Sequence, residues 1–126
     1  MASVARPQER VVLVVDDEPV VCHLTARILT DAGFRVVEAH SGSEAVALLS
    51  TLDGTVRLVV SDIAMPGMTG VQLAAVMADR WPATPVLLIS GQGGPATGYT
   101  GRFLSKPFSA DALLDTVGEL VPIPKN

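Results

Sequence analysis

The sequence has little cysteine, little positive charge and no long apolar run. Its single cysteine, Cys22, rules out a disulfide within the chain and fits a reducing compartment. No apolar run approaches the roughly 18–20 residues that a membrane-spanning helix needs. Residues 1–10 lack the hydrophobic core of a secretion signal, so we expect a cytoplasmic location and no membrane partner.

Basic and aromatic side chains are also scarce. Nine lysines and arginines stand against 13 acids, and the formal net charge is −4. The chain therefore lacks the basic surface typical of proteins that bind nucleic acid directly. Aromatic residues make up 4% of the 126 residues and hydrophobic residues 48%, which predicts one domain with an aliphatic core.

The main feature of the sequence is four short apolar runs, each of which ends at polar residues. They are residues 11–15 before Asp16-Asp17, 58–60 before Ser61-Asp62, 86–89 before Ser90, and 101–104 before Ser105-Lys106-Pro107. Runs of this length, rich in valine and isoleucine, are typical of strands buried on both faces of a parallel sheet. Because parallel strands end at one edge of the sheet, the polar residues should meet there.

Helical patterns and a further edge strand, at residues 34–39, separate these runs. The predicted fold class is α/β, a doubly wound, flavodoxin-like three-layer sandwich. Its five-stranded parallel sheet has the order 2-1-3-4-5, which places strands one and three side by side. Asp16, Asp17 and Asp62 would then adjoin one another.

The domain is expected to span residues 10–121, with flexible ends at 1–9 and 122–126. Residues 91–100, between the fourth and fifth strands, include four glycines and one proline. This composition disfavours a helix. We therefore expect a shortened or irregular fourth helix, reduced to a turn or a mobile loop.

The strand ends combine three carboxylates, one hydroxyl and one ammonium group. Clustered carboxylates repel one another, and a divalent cation removes that conflict. Ligands that are all oxygen favour Mg²⁺. A carboxylate beside Mg²⁺ can also attack phosphorus, and the transferred group is then stabilised by the cation, a lysine and a hydroxyl or N–H donor. The sequence therefore predicts a magnesium-and-phosphate site.

Four short motifs stand at these strand ends: residues 16–19 (DDEP), 61–70 (SDIAMPGMTG), 90–91 (SG) and 106–108 (KPF). Together and in this order they resemble the motifs of a response-regulator receiver domain of bacterial two-component signalling. The resemblance covers about residues 10–121. The short fourth-helix segment is similar to that of receivers attached to hybrid sensor kinases, and a free-standing receiver is the other interpretation.

The resemblance implies a role for each acidic residue. Asp62 is the implied phosphoacceptor and also contacts the metal ion. Asp17 is an implied direct ligand of Mg²⁺, and Asp16 acts through water or as a second carboxylate. The backbone carbonyl of Ala64 completes the protein's share of the metal shell.

The resemblance also implies which residues recognise the phosphate. Ser90 would donate a hydrogen bond to a phosphoryl oxygen, and Lys106 would pair with the phosphate. The bond between Lys106 and Pro107 is expected to be cis. Phe103 occupies the position of the switch aromatic residue.

The implied function is that of a phosphoacceptor signalling module rather than a turnover enzyme. It would accept a phosphoryl group from a sensor histidine kinase or a histidine phosphotransfer protein, change conformation and slowly lose the phosphate. Two alternatives stay open: a pseudo-receiver that only binds partners, and a phosphatase of the haloacid-dehalogenase type. The phosphatase needs Asp-x-Asp after the first strand, whereas Asp16 and Asp17 are adjacent. The oligomeric state also stays open, a weak homodimer included.

Three remaining residues are interpreted without a functional role. Cys22 lies one step off the apolar stripe of its helix and is expected to be half-buried and inert. His23 and His40 are interpreted as isolated residues with no partners at metal-ligand spacing.

Overall fold

The computed structural model describes residues 10–91, 99 and 101–124. Within these residues, strands and helices alternate along most of the chain. The strands are β1 (Val11–Val15), β2 (Arg35–Ala39), β3 (Val56–Asp62), β4 (Val86–Ser90) and β5 (Arg102–Ser105). The helices are α1 (Pro19–Asp31), α2 (Gly42–Thr51), α3 (Gly70–Arg80) and α4 (Ala110–Gly118).

The five strands form one parallel sheet in the order β2-β1-β3-β4-β5, which confirms the predicted fold class. β1 and β3 are neighbours, with Val15 opposite Ser61. β3 and β4 are paired so that Asp62 lies opposite Ile89. The carboxyl ends of the central strands therefore meet at one edge, as the apolar runs predicted.

The alternation of side chains along each strand produces two aliphatic layers. On β1, Val12 and Val14 face one way and pack with α1 and α4, while Leu13 and Val15 face the other way and pack with α2 and α3. Helices thus cover both faces of the sheet, which is why the central strands can be apolar throughout.

Side-chain caps mark where three of the helices begin. Ser41 accepts a hydrogen bond from the backbone N–H of Glu44 at the start of α2, and Ser109 does the same for α4. At α3, Thr69 and Gln72 form a reciprocal capping box. Each cap pairs a backbone N–H that has no partner within the helix.

One tryptophan lies at the far end of α3. Trp81 is the C-cap residue of this helix and packs, half-buried, against the layer formed by α2 and α3. The Arg80 guanidinium lies 4.4 Å from the centre of its ring. The tryptophan is thereby fixed between an apolar surface and a cation.

Some local predictions need correction. β3 is longer than predicted, and Asp62 is its last residue rather than the residue after it. Cys22 is fully buried, not half-buried, because it faces the sheet between α1 and β1. The prediction of a reduced fourth helix falls mainly on residues 92–98 and 100, outside the described residues, and stays a prediction.

None of the helices in the described ranges has the length and apolar character needed to cross a membrane.

Candidate functional site

Asp16 and Asp62 lie at the carboxyl edge of the sheet and face the same side. Asp16 continues the alternation of Val12 and Val14, and Asp62 continues that of Leu58 and Val60. Both carboxylates are directed toward α1, and each residue is 5% exposed. Because β1 pairs with β3 in this register, two acidic residues that are far apart in the sequence lie next to each other.

Asp17 joins this pair to form a cluster of three carboxylates. One oxygen from each of Asp16, Asp17 and Asp62 lies within 4.8 Å of the others. Asp17 is more exposed than the other two, so the cluster opens toward solvent on its side. An oxygen-only donor set of high negative charge, with an open side for water, fits Mg²⁺ well. The structure thus brings the three predicted acidic residues together.

The electrostatics of Asp16 reflect this crowding. Burial raises the pKa of its carboxyl above the ordinary value, and the neighbouring charge of Asp62 adds to the effect. The backbone N–H of Glu18 donates a 2.9 Å hydrogen bond to Asp16 Oδ1 and acts in the opposite direction, as does the Lys106 charge. A bound cation would relieve the remaining repulsion.

Lys106 provides a positive charge at the cluster. Its Nζ lies 3.2 Å from Asp62 Oδ1, with the lysine side chain 32% exposed. The backbone N–H of Lys106 donates a 2.7 Å hydrogen bond to the Ser90 carbonyl oxygen, which fixes the start of the loop after β5. The bond between Lys106 and Pro107 is cis, as expected.

Ser90 ends β4 next to this pair and is almost fully buried, at 1% exposure. Its hydroxyl donates a 3.0 Å hydrogen bond to the carbonyl oxygen of the following residue, Gly91. A serine turned to its own backbone in this way is available for another acceptor after a change of rotamer. Its position at the strand end agrees with the prediction, although its hydroxyl makes no contact with Asp62 here.

Two other predicted residues are less closely tied to the cluster. Ala64 lies two residues beyond Asp62, in the exposed loop after β3, and within the described ranges no donor pairs with its carbonyl oxygen. Phe103 lies on the edge strand β5 and is 44% exposed. Its ring is therefore outward, and the structure does not bring it to the acidic cluster.

Gly70 is a site residue that the sequence analysis did not single out. It begins α3, and its N–H donates a 3.0 Å hydrogen bond to the Ile63 carbonyl oxygen. A Cβ at this position would overlap the Asp62 carbonyl oxygen and lie 2.9 Å from the Ile63 Cα. The glycine sets how closely α3 approaches the backbone of Asp62. Its place as the last residue of the motif at residues 61–70 was the available signal.

Comparisons with known proteins agree with this geometry. The family model for the response regulator receiver domain matches residues 12–118. The chain belongs to this family. It is 38% identical over 117 residues to the sensor kinase CckA of Brucella abortus, which covers 87% of this chain and 12% of that protein. It is 35% identical over 113 residues to the transcriptional regulatory protein GlrR of Escherichia coli, which covers 85% of this chain and 25% of that protein.

Solved receiver structures share its fold. The CheY-like receiver domain protein of Methanospirillum hungatei superposes with a TM-score of 0.75 at 27% identity, covering 89% of this chain and 94% of that one. This receiver spans only 12% and 25% of the length of the two curated relatives above. Its membership places the chain in two-component signalling and removes the support for a haloacid-dehalogenase-type phosphatase.

An open hollow lies beside Lys106 on the surface of the receiver. Its volume is about 530 Å³, and it is lined by Val21, Gly91, Lys106, Pro107 and Phe108. By contrast, the enclosed space between Asp16, Asp62 and Lys106 is about 10 Å³, enough for roughly one water molecule. A ligand larger than a water molecule can therefore reach Asp62 only from the open side of the cluster.

The interpretation of His23 and His40 as isolated residues is wrong. His23 Nδ1 lies 3.2 Å from Glu38 Oε2, and His40 Nε2 lies 3.7 Å from Glu38 Oε1. Cys22 is close to the same carboxylate. The packing of α1 against β2, which sequence spacing did not show, brings Cys22 and His23 to Glu38 and His40.

Proposed function

We propose that this receiver is a phosphoacceptor whose nucleophile is the Asp62 carboxylate. The observation that supports this most directly is the position of Asp62: a buried carboxylate, 3.2 Å from Lys106 Nζ, beside two further carboxylates at the sheet edge. The Lys106 ammonium offsets part of the negative charge at this edge, and the Asp62 carboxylate is the proposed nucleophile toward an electron-poor phosphorus.

The proposed donor is a phosphohistidine on a sensor kinase or a histidine phosphotransfer protein. An Asp62 oxygen forms the new O–P bond as the N–P bond breaks, and the electron pair of that bond stays on the departing imidazole nitrogen. Mg²⁺, held by Asp16, Asp17, Asp62 and the Ala64 carbonyl, would supply positive charge to the phosphoryl oxygens. Phosphorylation requires no proton transfer to Asp62.

Lys106 and Ser90 are proposed to respond to the new phosphate. The Lys106 ammonium already faces Asp62 and would pair with a phosphoryl oxygen. The Ser90 hydroxyl, which donates to the Gly91 carbonyl here, would turn to donate to the phosphate instead. We propose that this turn favours an inward rotation of Phe103, which is 44% exposed in the present state. Slow hydrolysis of the aspartyl phosphate would reverse these changes.

The donor is proposed to approach over α1 and the hollow beside Lys106. Val20 and Leu24 are exposed on α1, at 72% and 59%, and Val21 lines the hollow together with Phe108. Apolar side chains grouped beside the acceptor offer a donor protein a surface to bury. The proposed receiver unit is residues 10–121, and the proposed compartment is the cytoplasm, which the free thiol of Cys22 fits.

The experiment is labelling by acetyl phosphate in the presence and absence of Mg²⁺. We expect Mg²⁺-dependent incorporation of one phosphoryl group, lost in Asp62→Asn and kept in the matched control Asp53→Asn, an exposed aspartate in the turn before β3. Intact mass measured under mild conditions gives the stoichiometry. Labelling that persists in Asp62→Asn would place the acceptor elsewhere, and no labelling of the wild-type chain would favour a pseudo-receiver.

A further inference from the structure

A second cluster of metal-ligating side chains lies on the α1 side of the edge strand β2. One donor atom from each of Cys22, Glu38 and His40 lies within 4.8 Å of the other two. Glu38 Oε1 is 3.7 Å from His40 Nε2, and its other oxygen, Oε2, is 3.2 Å from His23 Nδ1. A thiol, a carboxylate and two imidazoles therefore meet around one residue.

The fold explains why these residues meet. Along β2, Val36 packs against the layer that contains α1, and Glu38 follows two residues later on the same face. His40 continues this direction just beyond the end of the strand. Cys22 is on the inner face of α1, and His23 follows it toward solvent. The cluster is thus held by a helix and a strand rather than by a long loop.

We propose that Cys22, Glu38 and His40 bind a divalent transition metal ion of the Zn²⁺ type, at a site separate from the carboxylate cluster of Asp16 and Asp62. Zn²⁺ binds cysteine, histidine and carboxylate ligands at about 2.0–2.3 Å, so neighbouring donors in a tetrahedral shell lie roughly 3.3–3.8 Å apart. The 3.7 Å between Glu38 and His40 already falls in this range. The sulfur lies within 4.8 Å of the other two donor atoms, so side-chain rotation would need to bring it closer by at most about 1–1.5 Å.

The charge balance of the proposed site is favourable. Zn²⁺ replaces the thiol proton, which leaves to solvent, and the thiolate and the Glu38 carboxylate then neutralise the two charges of the ion. A neutral assembly is acceptable at a half-buried position where a lone charge is not. Cys22 Sγ faces the carbonyl oxygens of Val14 and Ala39 at 3.6 and 3.7 Å, so the ion enters from the side of the more exposed Glu38 and His40.

His23 is proposed as a positioning residue for this site. Its Nδ1 faces Glu38 Oε2, whereas His40 faces the other carboxylate oxygen, Oε1. An N–H at Nδ1 would hold the carboxylate so that Oε1 points toward the ion. Hydrogen bonds of this kind typically contribute about 10–100-fold to metal affinity. The water molecule expected at the fourth position of the shell keeps the site accessible to exchange.

The test uses Co²⁺ as a coloured probe for the proposed site. The full chain, reduced and free of a histidine tag, is titrated with Co²⁺ in excess Mg²⁺, which occupies the carboxylate cluster. We expect one equivalent of Co²⁺ to produce a near-ultraviolet thiolate-to-cobalt charge-transfer band, and Zn²⁺ to abolish it. Absence of the band in the correctly folded chain, or its persistence in Cys22→Ala, would overturn the proposal.

Variants outside the buried cysteine keep the test independent of folding. His40→Ala, at a partly exposed position, should weaken Co²⁺ binding at least about tenfold. His23→Ala should weaken it about 10–100-fold, and His23→Gln, which keeps a donor for Glu38, should restore part of the affinity. Asp62→Asn should leave the band unchanged, and loss of the band there would show that the site is not separate from the carboxylate cluster and overturn the proposal.

Discussion

Replacing Gly70 by alanine tests how the end of β3, which carries the proposed acceptor Asp62, is held. An ideal Cβ on Gly70 would overlap the Asp62 carbonyl oxygen and lie 2.9 Å from the Ile63 Cα. These are backbone atoms of the last residue of β3 and of the residue after it, so they cannot move aside as the end of a flexible side chain can. The helix start or the strand end must therefore shift by more than a few tenths of an ångström.

The expected size of the effect follows from two opposing terms. Overpacking against a rigid neighbour costs roughly 1–3 kcal/mol. Replacing glycine by alanine in a compatible helical position stabilises the folded state by about 0.4–1 kcal/mol, because it reduces the conformational entropy of the unfolded chain. We expect the free energy of unfolding to fall by about 1–2 kcal/mol, which corresponds to a fall in Tm of roughly 4–8 °C for a domain of this size.

The same shift should slow phosphorylation, because it moves the backbone carbonyl of Asp62, the proposed acceptor. Displacement of a reacting group by about 1 Å can cost 10²-fold in rate, so a smaller shift should cost about tenfold. Thermal unfolding and the rate of acetyl phosphate labelling are measured on Gly70→Ala and on the control Gly118→Ala. Gly118 is an exposed helical glycine, and its added Cβ would make only ordinary contacts, 3.4 and 3.6 Å, with the Ile123 side chain. Wild-type Tm and rate in Gly70→Ala would show that the close approach is not restrictive and refute the reasoning.

Three further predictions concern neighbouring features. Lys106→Ala should still accept phosphate but lose the phosphate-dependent NMR shifts near Phe103, and unchanged shifts would refute its coupling role. Burial and the nearby Glu38 charge raise the pKa of the Cys22 thiol to about 12, so in the folded, metal-free chain its reaction with a bulky aromatic disulfide should stay very slow from about pH 7 to 9. Fast stoichiometric reaction before unfolding would contradict that burial. Thr69→Ala removes the α3 capping box and should lower the free energy of unfolding by about 1 kcal/mol in urea titrations, and an unchanged midpoint would show that the cap adds little.

The fold was predictable because its strands are buried on both faces. The runs at Val12–Val15 and at 58–60 are continuous and apolar, which few structures other than central parallel strands require. The positions of Asp16 and Asp62 then followed from the common direction of the strands. Helix starts were readable where a serine or threonine caps them, as Ser41 and Ser109 do.

The features that were missed depend on contacts between distant segments. Cys22 was expected to be half-buried from the helical pattern alone, but the sheet also packs against that side of α1 and buries it fully. The contact between His23 and Glu38 depends on how α1 lies on β2, which no periodicity reveals. His40 contacts Glu38 at the end of the same strand. The close approach of Gly70 to Asp62 likewise appears only once the loop after β3 has folded back.

The single tryptophan at the end of α3 gives this molecule a local optical signal. Trp81 is separated from Gly70 by one helix of 11 residues, which is about 16 Å long. Its emission depends on the apolar surface beneath the ring and on the Arg80 guanidinium 4.4 Å away. Since α3 begins against the backbone of Asp62, a tilt of that helix would be transmitted along its length to the indole. Fluorescence of the unmodified chain therefore reports on the orientation of α3, and the indole lies at the end of α3 that is far from the acidic residues at the strand ends.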